Sequence, residues 1–327
     1  MAPAMKVVTS IYSDPTWTLP VPEVERLRRA FPHLQVVDAP SREARLRELP
    51  DADVAFLSQL RPDEFAVAAR LRWIQSPAAG VAGLLYPELR DSPVVLTNAR
   101  GIHGDAMAEH VIGMVLVLFR QIHAAIRDQV RHEWRKPPQA ACRMLRGRVM
   151  GIVGLGAIGT AVAERAAAMG MRVVAVRRRA GMAPPPFVSA VYPADELGRL
   201  LERADVVVLT APLTGDTRGL VGAAELRRMR PGAVLVNVAR GKLVREDDLA
   251  AELRRGTIAG AALDVFEHEP LSAGSPLWDL PNVVITPHTS AFRDDYWSLA
   301  VDLFAANLAR FERGEELANL VDKNAGY

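Results

Sequence analysis

The stretch Arg148-Val-Met-Gly-Ile-Val-Gly-Leu-Gly-Ala-Ile-Gly159 decides the fold of this chain. A short apolar run leads directly into Gly154, Gly156 and Gly159, and the helix-forming stretch Thr160–Met169 follows. Gly154 permits a tight turn, Gly156 lets the backbone approach a pyrophosphate, and Gly159 lets the helix pack close to the strand. The spacing predicts a strand, a turn and a helix that bind a dinucleotide, with its phosphates at the helix N-terminus.

The predicted cofactor residues of this turn are Gly154, Gly156, Ala157, Ile158 and Gly159. A glycine-rich turn identifies a nucleotide site but not a reaction, because the same turn also binds FAD or other nucleotides. Glycines that serve only packing are the other alternative. Since the turn lies near the middle of the chain, the residues before it are available to hold a substrate.

The length and composition of the chain exclude several classes of protein. A chain of 327 residues has the size of two ordinary domains. Its 40 Lys and Arg nearly balance its 38 Asp and Glu, so we expect no nucleic-acid partner. Cys142 is the only cysteine, which excludes an intramolecular disulfide and a cysteine-based zinc site. We therefore predict no metal and a cytoplasmic location. The longest apolar run, Val111–Phe119, is too short to span a membrane, so we expect no membrane partner.

The first hundred residues alternate short β-branched runs with charged amphipathic stretches, which is typical of a parallel sheet with crossover helices. The predicted strands are Lys6–Ser10, Leu34–Val37, Val54–Leu57, Trp73–Gln75 and Val94–Thr97. The predicted helices are Pro22–Ala30, Arg42–Leu49 and Pro62–Arg70. This half is predicted to be a small α/β domain.

The second half begins with one long predicted helix, Gly104–Arg131, which is apolar through Met107–Phe119 and then charged. Its predicted strands are Val149–Val153, Arg172–Val176, Val206–Thr210, Ala233–Val238, Gly260–Leu263 and Val283–Thr286. This alternation indicates a doubly wound sheet of close to six parallel strands. A final amphipathic helix, Arg293–Arg313, is expected to pack back on the first domain.

The strand that follows the glycine turn ends in three arginines. Arg177, Arg178 and Arg179 begin 18 residues after Gly159, near the position where NAD-binding domains place a carboxylate on the ribose hydroxyls. A carboxylate would repel the 2′-phosphate of NADP, whereas guanidinium groups match a phosphate in charge and geometry. We therefore predict that NADPH is the preferred cofactor and that NADH is the alternative. The alternative is a solvated basic loop.

Three ionisable residues follow the ends of later strands, where doubly wound sheets bind ligands. They are Arg240, Glu269 and His288. An Arg can bind a substrate carboxylate bidentately, and a His can give a proton to the alkoxide that forms when a carbonyl is reduced. A Glu beside that His would favour its charged form and hold its orientation. Taken alone, each of these residues is more often structural, but their order at successive strand ends is specific.

Four motifs follow one another along the second half: Gly154-Leu-Gly-Ala-Ile-Gly159, Asn237-Val-Ala-Arg-Gly241, Ala261-Ala-Leu-Asp-Val-Phe-Glu-His-Glu-Pro270 and Pro281-Asn-Val-Val-Ile-Thr-Pro-His288. Together they resemble the successive signatures of the D-isomer-specific 2-hydroxyacid dehydrogenase family, and the resemblance runs from about Val54 to Phe311. It implies that Arg240, Glu269 and His288 are catalytic. It also assigns Asp264 to the nicotinamide carboxamide. The further cofactor residues that it implies are Thr210, Ala211, Pro212, Thr217, Val238, Ala239 and His288.

The resemblance implies an α/β fold of two doubly wound parallel-sheet domains. A Rossmann cofactor domain, residues 103–289, would be inserted in a smaller flavodoxin-like substrate domain of residues 1–102 and 290–327. In that smaller domain, the loop Ser76–Gly83 matches the family's substrate loop, and the backbone amides of Ala79 and Gly80 would hold the substrate carboxylate. Ala82 stands where relatives often carry Asp, which affects loop geometry and substrate preference.

The predicted function is the reduction of a small 2-keto acid, similar to glyoxylate or hydroxypyruvate, to the D-2-hydroxy acid in a cleft between the domains. The alternative is a corepressor-like scaffold that senses dinucleotide without turnover; the intact set of Arg240, Glu269 and His288 disfavours it. The resemblance also implies a homodimer formed largely through the cofactor domain. His103, His110 and His123 are predicted to be structural rather than catalytic.

Overall fold

The computed structural model describes residues 4–14, 17–178 and 183–326. The chain divides into two compact units. Unit 1 comprises Met1–Ile102 and Arg293–Tyr327, and unit 2 comprises His103–Phe292.

The N-terminal part of unit 1 contains seven strands and four α-helices within the described residues. The strands are β1 (Lys6–Ser10), β2 (Tyr12–Asp14), β3 (Trp17–Thr18), β4 (Gln35–Asp38), β5 (Val54–Leu57), β6 (Trp73–Gln75) and β7 (Val95–Thr97). The helices are α1 (Val21–Ala30), α2 (Arg42–Glu48), α3 (Pro62–Val67) and α4 (Pro87–Arg90). Five of the strands form a parallel sheet in the order β4-β1-β5-β6-β7, while β2 and β3 pair antiparallel with each other. This is the strand order of flavodoxin-like folds.

Unit 2 is built on a parallel sheet of seven strands among the residues described. The strands are β8 (Val149–Val153), β9 (Arg172–Val176), β10 (Ala190–Tyr192), β11 (Val206–Leu209), β12 (Val234–Asn237), β13 (Gly260–Leu263) and β14 (Val283–Ile285). The helices are α5 (Gly104–Phe119), α6 (Ile122–Val130), α7 (Ala157–Ala168), α8 (Leu197–Leu201), α9 (Ala223–Arg228) and α10 (Glu246–Arg255). The order β10-β9-β8-β11-β12-β13-β14 is the Rossmann order with one strand added after its sixth.

The six strands predicted for unit 2 are present, and the prediction missed β10. This strand is three residues long and pairs only with β9 at the edge of the sheet. Val191 is its only β-branched residue, so the segment lacks the apolar run that marks the central strands. In contrast, all residues of β8 are buried, as expected for a strand covered on both faces.

The prediction of one helix over Gly104–Arg131 is wrong. Helix α5 ends at Phe119, α6 begins at Ile122, and the two axes are bent by 70°. Gln121 has a φ of 58°, a left-handed conformation that an α-helix cannot continue through. The change from apolar to charged residues at Phe119 coincides with this break, because α5 is largely buried whereas α6 has a mostly accessible surface.

No single helix in the part of the chain that the structure describes combines the length and the apolar character needed to cross a membrane. The bent pair α5–α6 meets both criteria only when its two helices are counted together.

The last helix, α11 (Tyr296–Glu312), packs in unit 1. The ring of Phe304 stacks on Phe56 of β5 with centroids 4.5 Å apart, and Trp73 of β6 lies against the same ring at 5.3 Å. These three side chains are fully buried. They fix the C-terminal segment to the sheet of unit 1.

Candidate active site

The predicted site residues of unit 2 follow the carboxyl ends of neighbouring strands. The register aligns Val153 with both Val176 and Leu209. It also aligns Asn237 with both Leu209 and Leu263, and it continues into β14. Because parallel strands end at one edge of the sheet, the loops after β9, β8, β11, β12, β13 and β14 lie side by side in that order.

The three glycines of the turn meet different structural demands. Gly154 has a φ of 104°, and a Cβ there would lie 2.6 Å from the backbone nitrogen of Ala211. A Cβ on Gly159 would lie 2.2 Å from the carbonyl oxygen of Gly154. Gly156 differs, because no heavy atom of the described residues beyond its own chain neighbours lies within 4 Å of the place its Cβ would take. Packing therefore explains two of the glycines, and the open space at Gly156 suits the close approach of a ligand.

Helix α7 presents unused backbone donors to the same space. Its N-cap is Gly156, which offers no side chain, and its first turn carries no acidic residue. The first amides of a helix have no acceptor within the helix itself. Ala157, Ile158 and Gly159 therefore fit the predicted role of binding the pyrophosphate of a dinucleotide.

We expect Gly156→Ala to weaken NADPH binding by about tenfold or more without lowering stability. The backbone of Gly156 is extended, a conformation that alanine adopts freely, so the added methyl group meets only the ligand. Isothermal titration would give the Kd for NADPH, and thermal unfolding of the free protein would give Tm. Gly113→Ala, a change at an equally open position in α5, is the matched control. A lower Tm with an unchanged Kd would contradict this account of the glycine.

Two of the three predicted arginines lie beside the glycine turn. Arg177 and Arg178 follow β9, whose last residue pairs with the last residue of β8, just before Gly154. Arg177 is half-buried and Arg178 is exposed. Arg179 lies outside the described residues. The two cations thus stand at the edge where the adenosine end of a dinucleotide is expected.

The loop after β11 is held together by threonine hydroxyl groups. Thr210 Oγ1 donates a hydrogen bond of 2.7 Å to the carbonyl of Gly154. Thr217 Oγ1 donates to the carbonyl of Pro212 at 2.7 Å and accepts from the amide of Thr214 at 2.7 Å. These bonds shape the predicted cofactor wall of Thr210, Ala211 and Pro212. Thr217 supports this wall through its hydrogen bonds to the backbone.

The structure pairs His288 with Glu269. His288 Nδ1 lies 2.6 Å from Glu269 Oε2, and the other carboxylate oxygen accepts from the amide of Phe266 at 3.0 Å. Glu269 is thereby fixed by its own loop and in turn fixes the imidazole. The His288 side chain is half exposed (49%), and its Nε2 takes part in none of the hydrogen bonds found among the described residues. This is the arrangement of an oriented acid or base.

Arg240 lies in a loop that Asn237 organises. Asn237 is buried; its Nδ2 donates to the carbonyl of Arg240 at 3.0 Å and its Oδ1 accepts from the amide of Ala239 at 3.1 Å. Val238 and Ala239, which lie between the strand and the arginine, are buried, and their predicted contact with a cofactor stays a prediction. The sequence did not single out Asn237, although it opens the quoted motif.

The Arg240 side chain is an exposed cation that the surrounding protein partly desolvates. Its Nη1 donates to the carbonyl of Ala239 at 2.6 Å, while solvent still reaches the side chain. Desolvation by surrounding protein lowers the pKa of Arg240, and the charge of Glu269 opposes that effect. A guanidinium with remaining donors in such a place is suited to a carboxylate ligand.

A close backbone contact brings the Arg240 loop against the Glu269 loop. A Cβ on Gly241 would lie 1.8 Å from the carbonyl carbon of Phe266 and 2.4 Å from the amide nitrogen of Glu267. Only glycine therefore fits at this position. The contact holds the loops of Arg240 and Glu269 against each other at the carboxyl ends of β12 and β13.

Asp264 is fully buried and makes its hydrogen bonds inside the protein. Its Oδ1 accepts from the hydroxyl of Thr286 at 2.6 Å and from the amide of Thr289 at 2.9 Å. Its Oδ2 accepts from the amide of Ser290 at 2.9 Å. The structure thus shows Asp264 binding the loop that carries His288; its predicted contact with a nicotinamide carboxamide stays a prediction.

In unit 1, the loop after β6 offers free backbone donors. Asn98 Nδ2 donates to the carbonyl of Ala79 at 2.9 Å, and the hydroxyl of Tyr296 donates to the carbonyl of Pro77 at 2.6 Å. Within the described chain, the amides of Ala79, Gly80 and Val81 have no acceptor. Side chains thus hold the carbonyls while the amides remain available to an anion, which is consistent with the predicted role of Ala79 and Gly80.

No group of three or more His, Cys, Asp and Glu side chains in residues 4–14, 17–178 and 183–326 is placed to hold a metal ion. Of the histidines predicted to be structural, His103 is buried and His123 Nδ1 lies 3.1 Å from the carbonyl of Val117. His110 is next to Thr286, at 3.2 Å.

A family model decides the identity of the chain. The model of the D-isomer specific 2-hydroxyacid dehydrogenase NAD binding domain matches residues 112–290. The chain belongs to the D-isomer specific 2-hydroxyacid dehydrogenase family.

Relatives of this dehydrogenase cover nearly the whole chain. The glyoxylate reductase of Korarchaeum cryptofilum is 34% identical over 292 residues, 87% of each protein. A family member from Aeromonas salmonicida superimposes with a TM-score of 0.86 at 34% identity, covering 98% of this chain and 100% of the other. The NADPH-dependent glyoxylate/hydroxypyruvate reductase from Sinorhizobium meliloti, solved with NADP and sulfate, has a TM-score of 0.84 at 33% identity and covers 99% and 100%.

Family membership confirms the predicted fold class and the predicted enzyme class. The dehydrogenase is an oxidoreductase of 2-hydroxy and 2-keto acids, and unit 2 contains its NAD-binding domain.

Proposed function

We propose that this dehydrogenase reduces a small 2-keto acid of the glyoxylate or hydroxypyruvate kind to its D-2-hydroxy acid, with NADPH as the preferred reductant. One observation carries the proposal. His288, oriented by Glu269 at 2.6 Å, follows β14, and the cationic Arg240 follows β12; both lie at the edge of the sheet that also bears the glycine turn. A proton donor and a carboxylate-binding cation are what the reduction of a keto acid requires of the protein.

Each side chain has a defined task in this reaction. When bound, a reduced nicotinamide supplies the hydride that adds to the carbonyl carbon. Arg240 binds the substrate carboxylate through its guanidinium donors and so fixes the carbonyl group. His288 gives the proton of Nε2 to the carbonyl oxygen, while Glu269 holds Nδ1 and stabilises the ring. In unit 1, the free amides of Ala79 and Gly80 are proposed to bind a substrate carboxylate.

A panel of 2-keto acids assayed with NADPH and with NADH tests the proposal. We expect turnover to be highest with short keto acids such as glyoxylate and hydroxypyruvate, and the product to be the D isomer. Tight NADPH binding without turnover on any keto acid would overturn it and favour a dinucleotide-sensing scaffold. Loss of NADPH absorbance at 340 nm gives the rates directly.

The preference for NADPH is supported by Arg177 and Arg178 beside the glycine turn. We expect the double change Arg177→Ser with Arg178→Ser to raise the KM for NADPH about 10- to 100-fold, because charge-assisted bonds to the 2′-phosphate are lost. The KM for NADH should change less than about threefold. Arg172→Ser, at the opposite end of the same strand, is the control. Equal effects on both cofactors, or a wild-type preference for NADH, would contradict the assignment.

We also propose that the dehydrogenase is a homodimer formed through unit 2. Exposed apolar side chains recur on α6 and in the segment that follows it; they are Ile122, Ile126, Val130, Trp134 and Met144. Trp134 is 91% exposed, and a second copy would supply the same apolar residues in a self-complementary contact. A cytoplasmic location stays a prediction of the sequence.

We expect Ile126→Asp combined with Trp134→Ser to convert a dimer into a monomer, as measured by light scattering after gel filtration. A charge in the centre of an apolar contact disfavours association strongly, because its desolvation is not compensated. Val21→Asp, at an exposed apolar residue of α1 in unit 1, should leave the mass unchanged. A monomeric wild-type protein, or a dimer that survives the double change, would contradict the proposed surface.

A further inference from the structure

Side chains from three elements connect helix α5 to the loop that carries His288. His110 Nε2 lies 3.2 Å from Thr286 Oγ1, and Thr286 Oγ1 donates to Asp264 Oδ1 at 2.6 Å. A hydroxyl group has one proton, and here it is used on Asp264. Its oxygen therefore accepts from His110, whose proton must be on Nε2. The direction of both hydrogen bonds follows from this count.

The pKa of His110 agrees with that assignment. Burial lowers the pKa of His110, and the charge of Asp264 opposes this effect without reversing it. Because the resulting pKa is below the ordinary value of a histidine, the ring is neutral at pH 7. A neutral ring with its proton on Nε2 donates to Thr286 and leaves Nδ1 as an acceptor.

Asp264 transmits this arrangement to the backbone around His288. Its side chain accepts from the amides of Thr289 and Ser290, both at 2.9 Å, and its carbonyl accepts from the amide of His288 at 2.9 Å. The carboxylate is fully buried, a state that is costly unless hydrogen bonds satisfy it. The hydroxyl of Thr286 is the only side-chain donor among its described hydrogen bonds.

The backbone of His288 needs such support. Its φ of 56° lies in the left-handed region, which is unfavourable for a residue with a side chain. Strained conformations persist at functional sites where surrounding contacts determine them. The Asp264 carboxylate accepts hydrogen bonds from residues before and after His288 in the chain. These bonds maintain the conformation that directs the His288 ring to Glu269.

We propose that His110 and Thr286 are positioning residues, which act through Asp264 to hold His288 in its working orientation. The inference rests on the proposed function, because it takes His288 to be the proton donor. It adds to that function a hydrogen-bonded connection from α5 to the loop of His288. Helix α5 itself lies outside the loops at the carboxyl edge of the sheet.

Thr286→Val and His110→Leu test this network, since each removes the hydrogen-bonding group at similar size. In the enzyme with NADPH and its best keto acid, we expect each change to lower kcat about tenfold through misplacement of His288. The Kd for NADPH and the KM for the keto acid should stay within about twofold. Thr286→Ser and His110→Gln keep a donor at the same atoms and should retain most of kcat. His123→Leu is the control, because His123 pairs with the carbonyl of Val117 in another part of unit 2.

A second measurement does not depend on turnover. In histidine-labelled protein without cofactor, the ring signals of His288, assigned by their absence in His288→Asn, should shift in Thr286→Val and His110→Leu but not in His123→Leu. If the wild type reduces no keto acid, the proposed function fails while these signals still test the network. If His110→Leu does not fold, Thr286→Val decides.

Three results would overturn the proposal. One is a folded Thr286→Val enzyme with unchanged kcat and unchanged His288 signals. Another is a loss of NADPH affinity with kcat preserved, which would assign the network to the cofactor alone. The third is an equal loss of kcat in the conservative variants, which would show that packing rather than hydrogen bonding is what matters.

Discussion

Replacing His288 with Asn should lower kcat for keto-acid reduction by about 10²- to 10⁴-fold, the usual contribution of a positioned acid or base. Asparagine retains a polar side chain, but its amide cannot deliver a proton to the oxygen of the product. The ring of His288 is already held at 2.6 Å from Glu269, so the wild-type enzyme needs little rearrangement to use it. Steady-state rates over pH 5 to 9 measure the loss, and the range is chosen about the ordinary pKa of histidine.

The design separates the loss of chemistry from the loss of binding. The Kd for NADPH, titrated independently, should change less than about threefold in His288→Asn, because the residues proposed to hold the cofactor, Gly154–Gly159 and Arg177–Arg178, are unchanged. His268→Asn removes an exposed imidazole one residue from Glu269 and should leave kcat unchanged. Wild-type turnover in His288→Asn would show that another group donates the proton.

The sequence predicted the central strands and the residues that follow them better than it predicted contacts between residues far apart in the chain. Central strands such as Val149–Val153 are apolar over their whole length because both faces are buried, and such an apolar run can be recognised in the sequence. Since parallel strands end together, residues just past their ends, such as Arg240 and His288, could be expected at one edge of the sheet from their order.

The features that were missed depend on contacts between distant residues. His110 and Thr286 are 176 positions apart, and no periodicity or motif predicts that their side chains meet. The bend at Gln121 depends on one left-handed residue, in a stretch whose apolar and charged halves both favour a helix. Strand β10 takes its place by pairing with β9 and has little β-branched character of its own. Tertiary structure overrides local propensity in each case.

Replacing Gly241 with Ala should lower both the free energy of unfolding and kcat/KM. Its Cβ would lie 1.8 Å from the carbonyl carbon and 2.0 Å from the carbonyl oxygen of Phe266. Both are backbone atoms, so no side-chain rotation relieves the overlap and the two loops must separate. Overpacking of this kind lowers the free energy of unfolding by about 1–3 kcal/mol. A displacement of about 1 Å between catalytic groups lowers kcat/KM about 10²-fold.

Because Gly241 joins the loop of Arg240 to the loop of Glu269, the kinetic loss should exceed what the stability loss alone explains. At a temperature where Gly241→Ala remains folded by circular dichroism, kcat/KM for the keto acid should still be reduced about 10²-fold. Gly274→Ala lies in the segment after Glu269, where a Cβ meets only Ser272 Oγ at 3.8 Å, and should change neither quantity. Full activity in folded Gly241→Ala would mean that the site tolerates separation of the two loops. Reduced activity with a normal Tm would place the loss in geometry alone, with the loops moving apart at no cost to the rest of unit 2.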